Sequence, residues 1–590
     1  MFLKHVVVDK GPKRHSYWAL VESIRTARGP RQRLVAYLGE LTSPENAGWA
    51  NLKRILERQP EIPKGLFPHE APVPEDVRIN VRKVRVEGTH DFGDVYLGLT
   101  LWRALRLDEL LQARIREGRE EVRWAVVAAI LALARFCEPS SELHIADTWY
   151  RRTALDELLG VRPGEVNEDR LYRGLDHVLP HKEAIEKHLR EQFATIFDTK
   201  FDLILYDVTS TYFEGLAELN PQAQRGHSRD HRPDCKQVCI ALVVTREGLP
   251  VSYEVFAGNR NDMTTLEEIV EGMERKHGAL GRVWVVDRGI ASEENLEFLR
   301  ERKASYVVGT PKSELKEFEK QLLEEGWTKV EAGVEVKLCP SPDGQETFVL
   351  CRSGDRREKE KAMHERFAQR IEAGLKKLAA RLERARKCPD QVQVERQIGR
   401  LLERNSRAAG LYDIGVTEVQ EDGRKGLRVK WQEKKQWKEW AMLSEGHYLL
   451  RTNLVGWSAQ DLWKTYVQLT QAESAFRTQK SELKIRPIWH QKEHRVQAHI
   501  LFSFLAYAMW KTLEQWMART GLGNGPRTVM EELAKLKAVE VVLPTSVGRE
   551  LQLRCVTKPD EAQRILLQRL GMRIPERLSE PRWRGLTPKM

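Results

Sequence analysis

The sequence predicts a multidomain α/β protein, more broadly α+β, built around a mixed β-sheet with flanking helices. Between residues 201 and 310, three strand-like runs follow one another, and then a helix, a strand, a helix and a strand. A meander followed by βα units is typical of a mixed sheet that is covered by helices. At 590 residues the chain is too long for one compact core, so several domains are expected.

The individual runs support this order. FDLILYDV (201–208) is short and almost continuously apolar, as expected of a central strand that is covered on both faces. KQVCIALVV and LPVSYEVF follow as two strands, joined by the turn residues REG. The remaining predicted elements are a helix over 262–276, a strand over 282–287, a helix near 292–302 and a strand over 305–310.

Changes in pattern along the chain predict six regions. They are an N-terminal β-rich module (1–90), a helical region with a possible DNA-binding role (91–200), the first part of the core (201–312), an insertion with β pieces and a charged helical hairpin (313–452), a second part of the core with two helices (453–520), and a C-terminal tail (521–590).

Composition limits the function only broadly. The chain has 97 Lys and Arg residues against 86 Asp and Glu residues, a formal net charge of +11, which suits a polyanionic partner without identifying one. No apolar run reaches the length of a membrane span, and the first residues show no signal peptide. Seven irregularly spaced cysteines do not form a disulfide framework. We therefore expect a cytoplasmic protein without a membrane partner.

Three carboxylates stand out as candidates for chemistry. Asp207 closes the first predicted strand, and Asp287 closes the strand that follows the meander. Glu473 lies on the predicted helix YVQLTQAESAFRTQKSELK, with Arg477 and Lys480 on the same face at i+4 and i+7. On that helix Tyr466 would lie two turns before Glu473 on nearly the same stripe.

Carboxylates from two strands and a helix are the ligands that a two-metal phosphodiester site requires, because Mg²⁺ and Mn²⁺ prefer oxygen donors. Lys480 and Arg477 would then face the phosphate backbone. Each residue also has a simpler interpretation, as a helix cap or as part of a solvated helix face. Asp287 and Glu473 are 186 residues apart, and spacing alone does not join the three carboxylates.

Two further patterns leave alternatives open. The residues His227, His231, Cys235 and Cys239 could bind zinc, but their spacing is not a standard zinc pattern, and Cys239 falls inside a predicted strand. The run KWQEKKQWKEW (430–440) interleaves lysines with three tryptophans. These could stack on unpaired bases, but packing of the tryptophans on the insertion with the lysines in solvent is slightly favoured.

Several ordered motifs resemble those of a known family. They are LILYDVTSTYFEG, GHSRDHRPDCKQV, YEVFAGNRNDMTTLEEIV, VVDRGIASEENLEFL, SYVVGTP, and a block from Tyr466 that begins YVQLTQAESAFRTQKSELKIRPIWHQKEHRVQAH. Together they resemble the DDE transposases of bacterial insertion sequences, in the branch related to family-four (IS-four) elements. The resemblance covers roughly 200–312 and 453–515.

The resemblance implies an RNase H-like catalytic core with Asp207, Asp287 and Glu473 as the metal-binding triad. It explains the long gap, because these enzymes insert a largely β domain before the Glu-bearing helix. Tyr466, Glu473 and Lys480 match the Tyr-x-x-Arg-x-x-x-Glu-x-x-x-x-x-x-Lys signature of the branch, whereas Leu469 replaces its Arg. It also implies DNA contacts, which would be made by Lys480, Arg477, Tyr466, Lys236 and Arg232.

The implied function is DNA transposition. The enzyme would cut the ends of its insertion sequence and join them to target DNA, with two Mg²⁺ or Mn²⁺ ions held by the triad. Its partners would be terminal inverted repeats, target DNA and a second copy of the chain in a synaptic homodimer, and it would act at the bacterial nucleoid. The alternatives are another RNase H-like nuclease, or a catalytically impaired or domesticated relative that only binds DNA.

Overall fold

The computed structural model describes residues 2–10, 13–26, 29–39, 76–278, 281–341, 344–385, 387–421, 424–546 and 548–584. The chain forms two compact units, the first comprising Met1–Arg282 and Leu469–Met590 and the second Val283–Gln468. Each unit contains both β-strands and α-helices, so the fold is mixed α/β. The predicted fold class, a mixed sheet with flanking helices, is therefore confirmed.

The N-terminal residues form a small antiparallel sheet. Its strands β1 (Phe2–Lys10), β2 (Lys13–Thr26) and β3 (Gly29–Gly39) follow one another as a meander. The rest of the predicted β-rich module up to residue 75 lies outside the described residues. A fourth strand, β4 (Arg85–Asp91), belongs to a separate sheet with strands of the C-terminal tail.

Helices follow, as the periodicity predicts. They are α1 (Gly93–Ala104), α2 (Leu107–Arg114), α3 (Trp124–Cys137), α4 (Glu142–His144), α5 (Tyr150–Arg152), α6 (Leu155–Leu159), α7 (Glu168–Val178) and α8 (Lys182–Phe197). Helix α3 is buried over most of its length because nearly every residue is apolar. A Cβ on Gly174 of α7 would lie 2.5 Å from Val127, so this glycine allows the two helices to pack closely.

Within the described part of the chain, no single helix has the length and apolar content needed to cross a membrane. By length and composition alone, one pair, Trp124–Cys137 with Glu142–Arg152, meets that test jointly, and it is bent by 102°.

The central part of the first unit is an antiparallel meander of β5 (Leu203–Tyr212), β6 (Gln237–Thr245) and β7 (Pro250–Ala257), followed by α9 (Leu266–His277). Strand β5 is buried at all but two positions, which confirms the prediction for residues 201–208 of a strand covered on both faces, and β6 is buried throughout. One prediction is wrong in detail, because β5 does not end at Asp207. The hydroxyl residues after Asp207 continue the pairing with β6, which places Asp207 opposite Leu242 in the middle of the strand.

A buried ion cluster joins the helices to this meander. The ammonium of Lys276 on α9 lies 2.7 Å from Glu186 of α8 and 2.8 Å from Glu254 of β7. The side chain of Lys276 is 3% exposed and that of Glu186 is fully buried. The pKa of Glu186 is raised because burial disfavours its charged form. An isolated charge at this depth would be costly, so the charged groups depend on one another.

The second unit contains the following elements in chain order. They are β8 (Val283–Val286), α10 (Glu293–Glu301), β9 (Ser305–Gly309), α11 (Glu319–Leu323), β10 (Thr328–Glu331), β11 (Val334–Pro340), β12 (Thr347–Ser353), α12 (Gly354–Glu383), α13 (Gln391–Arg404), β13 (Tyr412–Glu421), β14 (Arg424–Glu433), α14 (Lys435–Ser444), β15 (His447–Thr452) and α15 (Ala459–Val467).

Strands of the second unit pair in the order β10-β11-β12-β15-β9-β8, with β8 and β9 parallel and the other pairs antiparallel. The predicted helical hairpin is confirmed as α12 and α13. Its apolar stripes pack against the β13–β14 hairpin. Residues of the shared core include Ile371, Leu375, Val394, Ile398 and Val429.

The chain then returns to the first unit. The elements there are α16 (Thr470–Ser481), α17 (Glu493–Arg519), α18 (Pro526–Leu533), β16 (Lys537–Pro544), β17 (Glu550–Val556), α19 (Glu561–Arg569) and β18 (Arg582–Trp583). Helix α17 is buried over most of its length, and the tail strands form a sheet in the order β18-β17-β16-β4.

The single helix predicted across Tyr466 and Glu473 is wrong, because it is two helices. The backbone N–H of Gln468 ends α15 by donating to Lys464, and α16 begins with N–H groups donating to the carbonyl of Leu469. Each helix buries its own apolar face, which for α15 includes Leu462 and Trp463. Tyr466 therefore does not share a helical stripe with Glu473.

Candidate active site

Asp207 is positioned by the central strand of the first unit. Its neighbours on β5 are buried on both sides, while Asp207 itself is only partly buried. One carboxylate oxygen accepts a hydrogen bond from the backbone N–H of Val208 at 2.8 Å. A carboxylate in this strand needs cations or donors to offset the cost of leaving water. The groups around Asp207 are therefore candidates for a functional site.

Glu473 lies in the first turn of α16, and its side chain is exposed. The helix packs on β5 and β6 and buries Ala472, Ala475 and Phe476. The N-terminal turn of a helix favours a carboxylate, because the backbone dipole places partial positive charge there. The helix that carries Glu473 thus rests on the strand that carries Asp207.

Leu469, which replaces the expected Arg, is 6% exposed at the start of this helix. An apolar side chain fits this buried position, whereas a guanidinium would need a partner there. The departure from the family signature therefore has a structural basis in the first unit.

Lys480 is held at the other end of α16. Its ammonium donates to the hydroxyl of Thr209 at 2.8 Å and to the carboxylate of Asp230 at 2.9 Å. Burial lowers the pKa of Lys480 to about 8, and the positive charge of Arg229 lowers it further, while Asp207 opposes this shift. Because Thr209 is two residues from Asp207 on β5, the structure places Lys480 beside the strand of the candidate carboxylate.

Asp230 was missed by the sequence analysis. Its side chain is 3% exposed, and the same oxygen that meets Lys480 also accepts from the guanidinium of Arg486. Asp230 lies within the quoted motif GHSRDHRPDCKQV, but only its other charged residues were singled out. No local pattern could reveal the contact, because its partners lie about 250 positions further along the chain.

The residues of the 227–236 loop that are predicted to contact DNA differ in whether their side chains are already paired with carboxylates. Arg232 pairs with Asp234 at 2.9 Å and with Glu214 at 3.2 Å, and its guanidinium stacks over the ring of Tyr212. Lys236 and the helix residue Arg477 are more open, since Lys236 is partly exposed and Arg477 is exposed. Arg232 would have to leave two carboxylates before it could bind a phosphate.

Asp287 and Tyr466 lie together in the second unit. Asp287 is exposed directly after β8 and begins a turn that the N–H of Ile290 closes by donating to its carbonyl at 3.0 Å. The Tyr466 hydroxyl donates to the Asp287 carboxylate at 3.3 Å. A Cβ on Gly309, at the end of β9, would lie only 2.4 Å from that hydroxyl. Gly309 therefore leaves the space that the Tyr466 hydroxyl occupies.

The chemistry of these groups fits a hard divalent cation. Asp207, Asp287 and Glu473 offer carboxylate oxygens, which Mg²⁺ and Mn²⁺ prefer. In the described part of the chain, Asp287 and Glu473 form no salt bridge that would neutralise them. Over the same residues, no three His, Cys, Asp or Glu side chains form a group that could hold a metal ion as they stand. The individual donors suit a metal, and the grouping of the three remains a prediction.

The zinc alternative has no support in the structure. Cys239 is buried within β6, where it behaves as a small apolar residue, and the thiol of Cys235 contacts Arg232 and Asp234. The four candidate ligands are not a metal-holding group among the described residues.

The tryptophans of 430–440 pack on the second unit, as the favoured interpretation predicts. Trp431 and Trp437 lie against the core of α12, α13 and the β13–β14 hairpin. Trp440 lies against a neighbouring apolar cluster that includes Leu350 and Leu449. These rings have a packing role that does not require DNA.

The order of strands and helices defines the chain as a mixed α/β protein. The chain belongs to the transposase DDE domain family, whose sequence model matches residues 198–509, more than half of its length. Residues 6–65 match the N-terminal domain of the IS1634 family of transposases. These matches confirm the resemblance to insertion-sequence DDE transposases, and membership implies a role in DNA transposition.

Comparisons with curated proteins and with solved structures add two findings. No curated protein matches this chain in sequence. Among solved structures, the chain is similar to a piggyBac transposase in a synaptic complex with hairpin DNA, determined by cryo-EM. The two share 9% sequence identity with a TM-score of 0.34, over 75% of this chain and 79% of the other.

Proposed function

We propose that this protein is an active transposase that cuts the ends of its insertion sequence and joins them to target DNA. The observation that carries the proposal is the family match over 198–509, a segment that includes Asp207, Asp287 and Glu473. The packing of the Glu473 helix on the Asp207 strand and the contact of Lys480 with Thr209 support it.

The proposed roles follow from the chemistry of each side chain. Asp207, Asp287 and Glu473 would hold two divalent cations, which supply activation of the attacking oxygen and stabilisation of the leaving oxygen. Lys480 would place a positive charge against the phosphate oxygens of the scissile strand. Tyr466 would orient the Asp287 carboxylate through the hydrogen bond at 3.3 Å.

Two reactions are proposed. In the first, the oxygen of water attacks the phosphorus at the end of the element, and the bond to the 3′ oxygen breaks to leave a 3′-hydroxyl. In the second, that hydroxyl oxygen attacks a phosphorus of target DNA, and a target 3′ oxygen leaves. Both steps are phosphoryl transfers with no net redox change, so the same residues serve both.

The proposed partners are the terminal inverted repeats of the element, target DNA and a second copy of the chain that synapses the two ends. The proposed location is the bacterial cytoplasm, at the nucleoid. The net charge of +11 is consistent with a polyanionic partner.

A cleavage assay tests the proposal. The protein is incubated with a DNA fragment that carries the terminal repeat of its own element, with Mg²⁺, with Mn²⁺ or with a chelator. We expect metal-dependent cleavage at the repeat boundary. Binding without cleavage would favour an impaired or domesticated relative, and cleavage that ignores the repeat would favour a general nuclease.

Replacing Gly309 by alanine should slow this cleavage about tenfold, since the new Cβ displaces the Tyr466 hydroxyl and costs roughly one hydrogen bond. The measurement is the single-turnover cleavage rate. Gly399→Ala, where a Cβ meets nothing within 4 Å in the same unit, is the matched control and should leave the rate unchanged.

The double variant Gly309→Ala with Tyr466→Phe separates this explanation from general damage. Without the hydroxyl the nearest atom to the new Cβ is the ring carbon Cζ at 3.1 Å, which needs to shift by only a few tenths of an ångström. The double variant should therefore cleave at nearly the rate of Tyr466→Phe alone. A further loss in the double variant would show that Gly309 acts in another way.

A further inference from the structure

The feature that carries a further inference is the convergence of two cations on one buried carboxylate. A single oxygen of Asp230 accepts from both Lys480 and Arg486. Its other oxygen is buried and has no hydrogen-bond partner among the described residues. This is not a solvated surface pair, because the side chains of Asp230 and Lys480 are 3% and 13% exposed. Buried ion pairs are sensitive to loss of one partner.

Asp230 is itself held firmly. The N–H of Arg229 donates to the Ser210 hydroxyl of β5 at 3.2 Å, and the guanidinium of Arg229 pairs with Asp262. One residue further along, the N–H of His231 donates to the carbonyl of Ser228 at 3.3 Å. The loop is thus anchored to the strand of Asp207 on one side of Asp230 and closed as a turn on the other.

Among the described residues, the ammonium of Lys480 has two hydrogen-bond partners, the Thr209 hydroxyl and the Asp230 carboxylate. Thr209 is neutral, so Asp230 is the contact that balances the charge of Lys480 at this partly buried position. Without it, the long lysine side chain would keep one weak contact and would regain rotational freedom.

We propose that Asp230 is a positioning residue for phosphodiester cleavage, which holds Lys480 charged and oriented beside the strand of Asp207. Arg486 balances the remaining charge of the cluster, and Asp230 acts through Lys480 without touching DNA. This inference rests on the proposed function, because it assigns Lys480 to the scissile phosphate.

The test is a double-mutant cycle in the terminal-repeat cleavage assay. Asp230→Asn keeps the shape of the side chain but removes its charge, and it should slow single-turnover cleavage about ten- to hundredfold, as for other supporting residues of metal sites. In a Lys480→Met background the same change should cost less than about twofold, since residues that act through each other are not additive. Asp202→Asn, directly before β5 but 61% exposed and paired only with Arg246 at 4.0 Å among the described residues, should cleave at the wild-type rate.

A structural role would give a different result. If Asp230 only stabilised the fold, the rate reductions caused by Asp230→Asn and by Lys480→Met would multiply in the double variant. The protection of residues 203–212 from hydrogen exchange would also fall in Asp230→Asn. Losses that multiply, or an Asp230→Asn variant as fast as wild type, would overturn the inference. The double variant Asp230→Asn with Arg486→Gln leaves no unpaired guanidinium, so it gives the same test if the single variant does not fold.

The two proposals fail in distinguishable ways. If Asp207→Asn abolishes cleavage while Asp230→Asn does not change it, only the positioning role is wrong. If Asp207→Asn cleaves like wild type, the proposed function itself is wrong.

Discussion

Asp207→Asn and Glu473→Gln are each expected to lower metal-dependent cleavage of the terminal repeat by about a thousandfold. The reason is that a bound divalent cation contributes several kcal/mol of charge stabilisation in phosphoryl transfer. Every loss of about 1.4 kcal/mol of this stabilisation lowers the rate tenfold. Both replacements keep the size of the side chain, and Glu473 is exposed, so the fold should be retained. The measurement is the single-turnover rate with saturating protein.

Glu482→Gln is the matched control for Glu473. It lies at the end of the same helix and pairs with Arg527 at 2.8 Å. It should cleave within about twofold of wild type, since single partly exposed ion pairs contribute little. Equal activity of Glu473→Gln and Glu482→Gln would contradict the assignment of Glu473.

Lys276→Met is expected to have the largest effect on stability, a loss of about 3–5 kcal/mol. Lys276 contacts Glu186 and Glu254, and its removal leaves a fully buried carboxylate without its nearest cation. Methionine fills similar space but carries no charge to offset that of Glu186. The measurement is hydrogen exchange of the peptides that cover Lys182–Phe197 and Leu266–His277, which should exchange much faster.

Arg275→Met provides the control on the adjacent residue. Arg275 is 66% exposed and pairs with Glu183 at 2.9 Å on the surface of the same two helices. Exposed pairs are worth about 0–1 kcal/mol, so exchange should change little. Similar exchange in the two variants would mean that the buried cluster does not stabilise these helices.

The arrangement of the core strands could be predicted from the sequence because buried strands and turns each have a recognisable pattern within a short segment. The apolar run of β5 and the REG turn between β6 and β7 each sit in one short segment. Their order along the chain was sufficient to predict a mixed sheet. The charged hairpin of α12 and α13 was predictable for the same reason, since its stripes repeat at helical spacing.

The errors arose where tertiary contacts decide local structure. Asp207 was predicted to end its strand, but pairing with β6 carries the strand on to Tyr212. The helix expected across Tyr466 and Glu473 is two helices, which end and begin at Gln468 and Leu469. Helical periodicity alone does not distinguish one long helix from two consecutive short ones.

The candidate site was predictable in part for a similar reason. Asp207, Asp287, Glu473 and Lys480 were found through motif resemblance, because each lies in a recognisable segment. Asp230 and Gly309 were not found, since their importance comes from contacts with Lys480, Arg486 and Tyr466 that are distant in sequence. A single sequence shows residue types and spacing, and it does not show which distant groups meet.

The central claim is that the protein is a transposase, and strand transfer tests it most directly. The substrate is a terminal-repeat fragment already cut to expose its 3′-hydroxyl, mixed with a supercoiled target plasmid and Mg²⁺ or Mn²⁺. We predict that the 3′ end becomes covalently joined to the plasmid and that the product is lost with a chelator and in Glu473→Gln. Cleavage of intact repeats without any joining of the exposed 3′ ends would contradict the claim and indicate a nuclease.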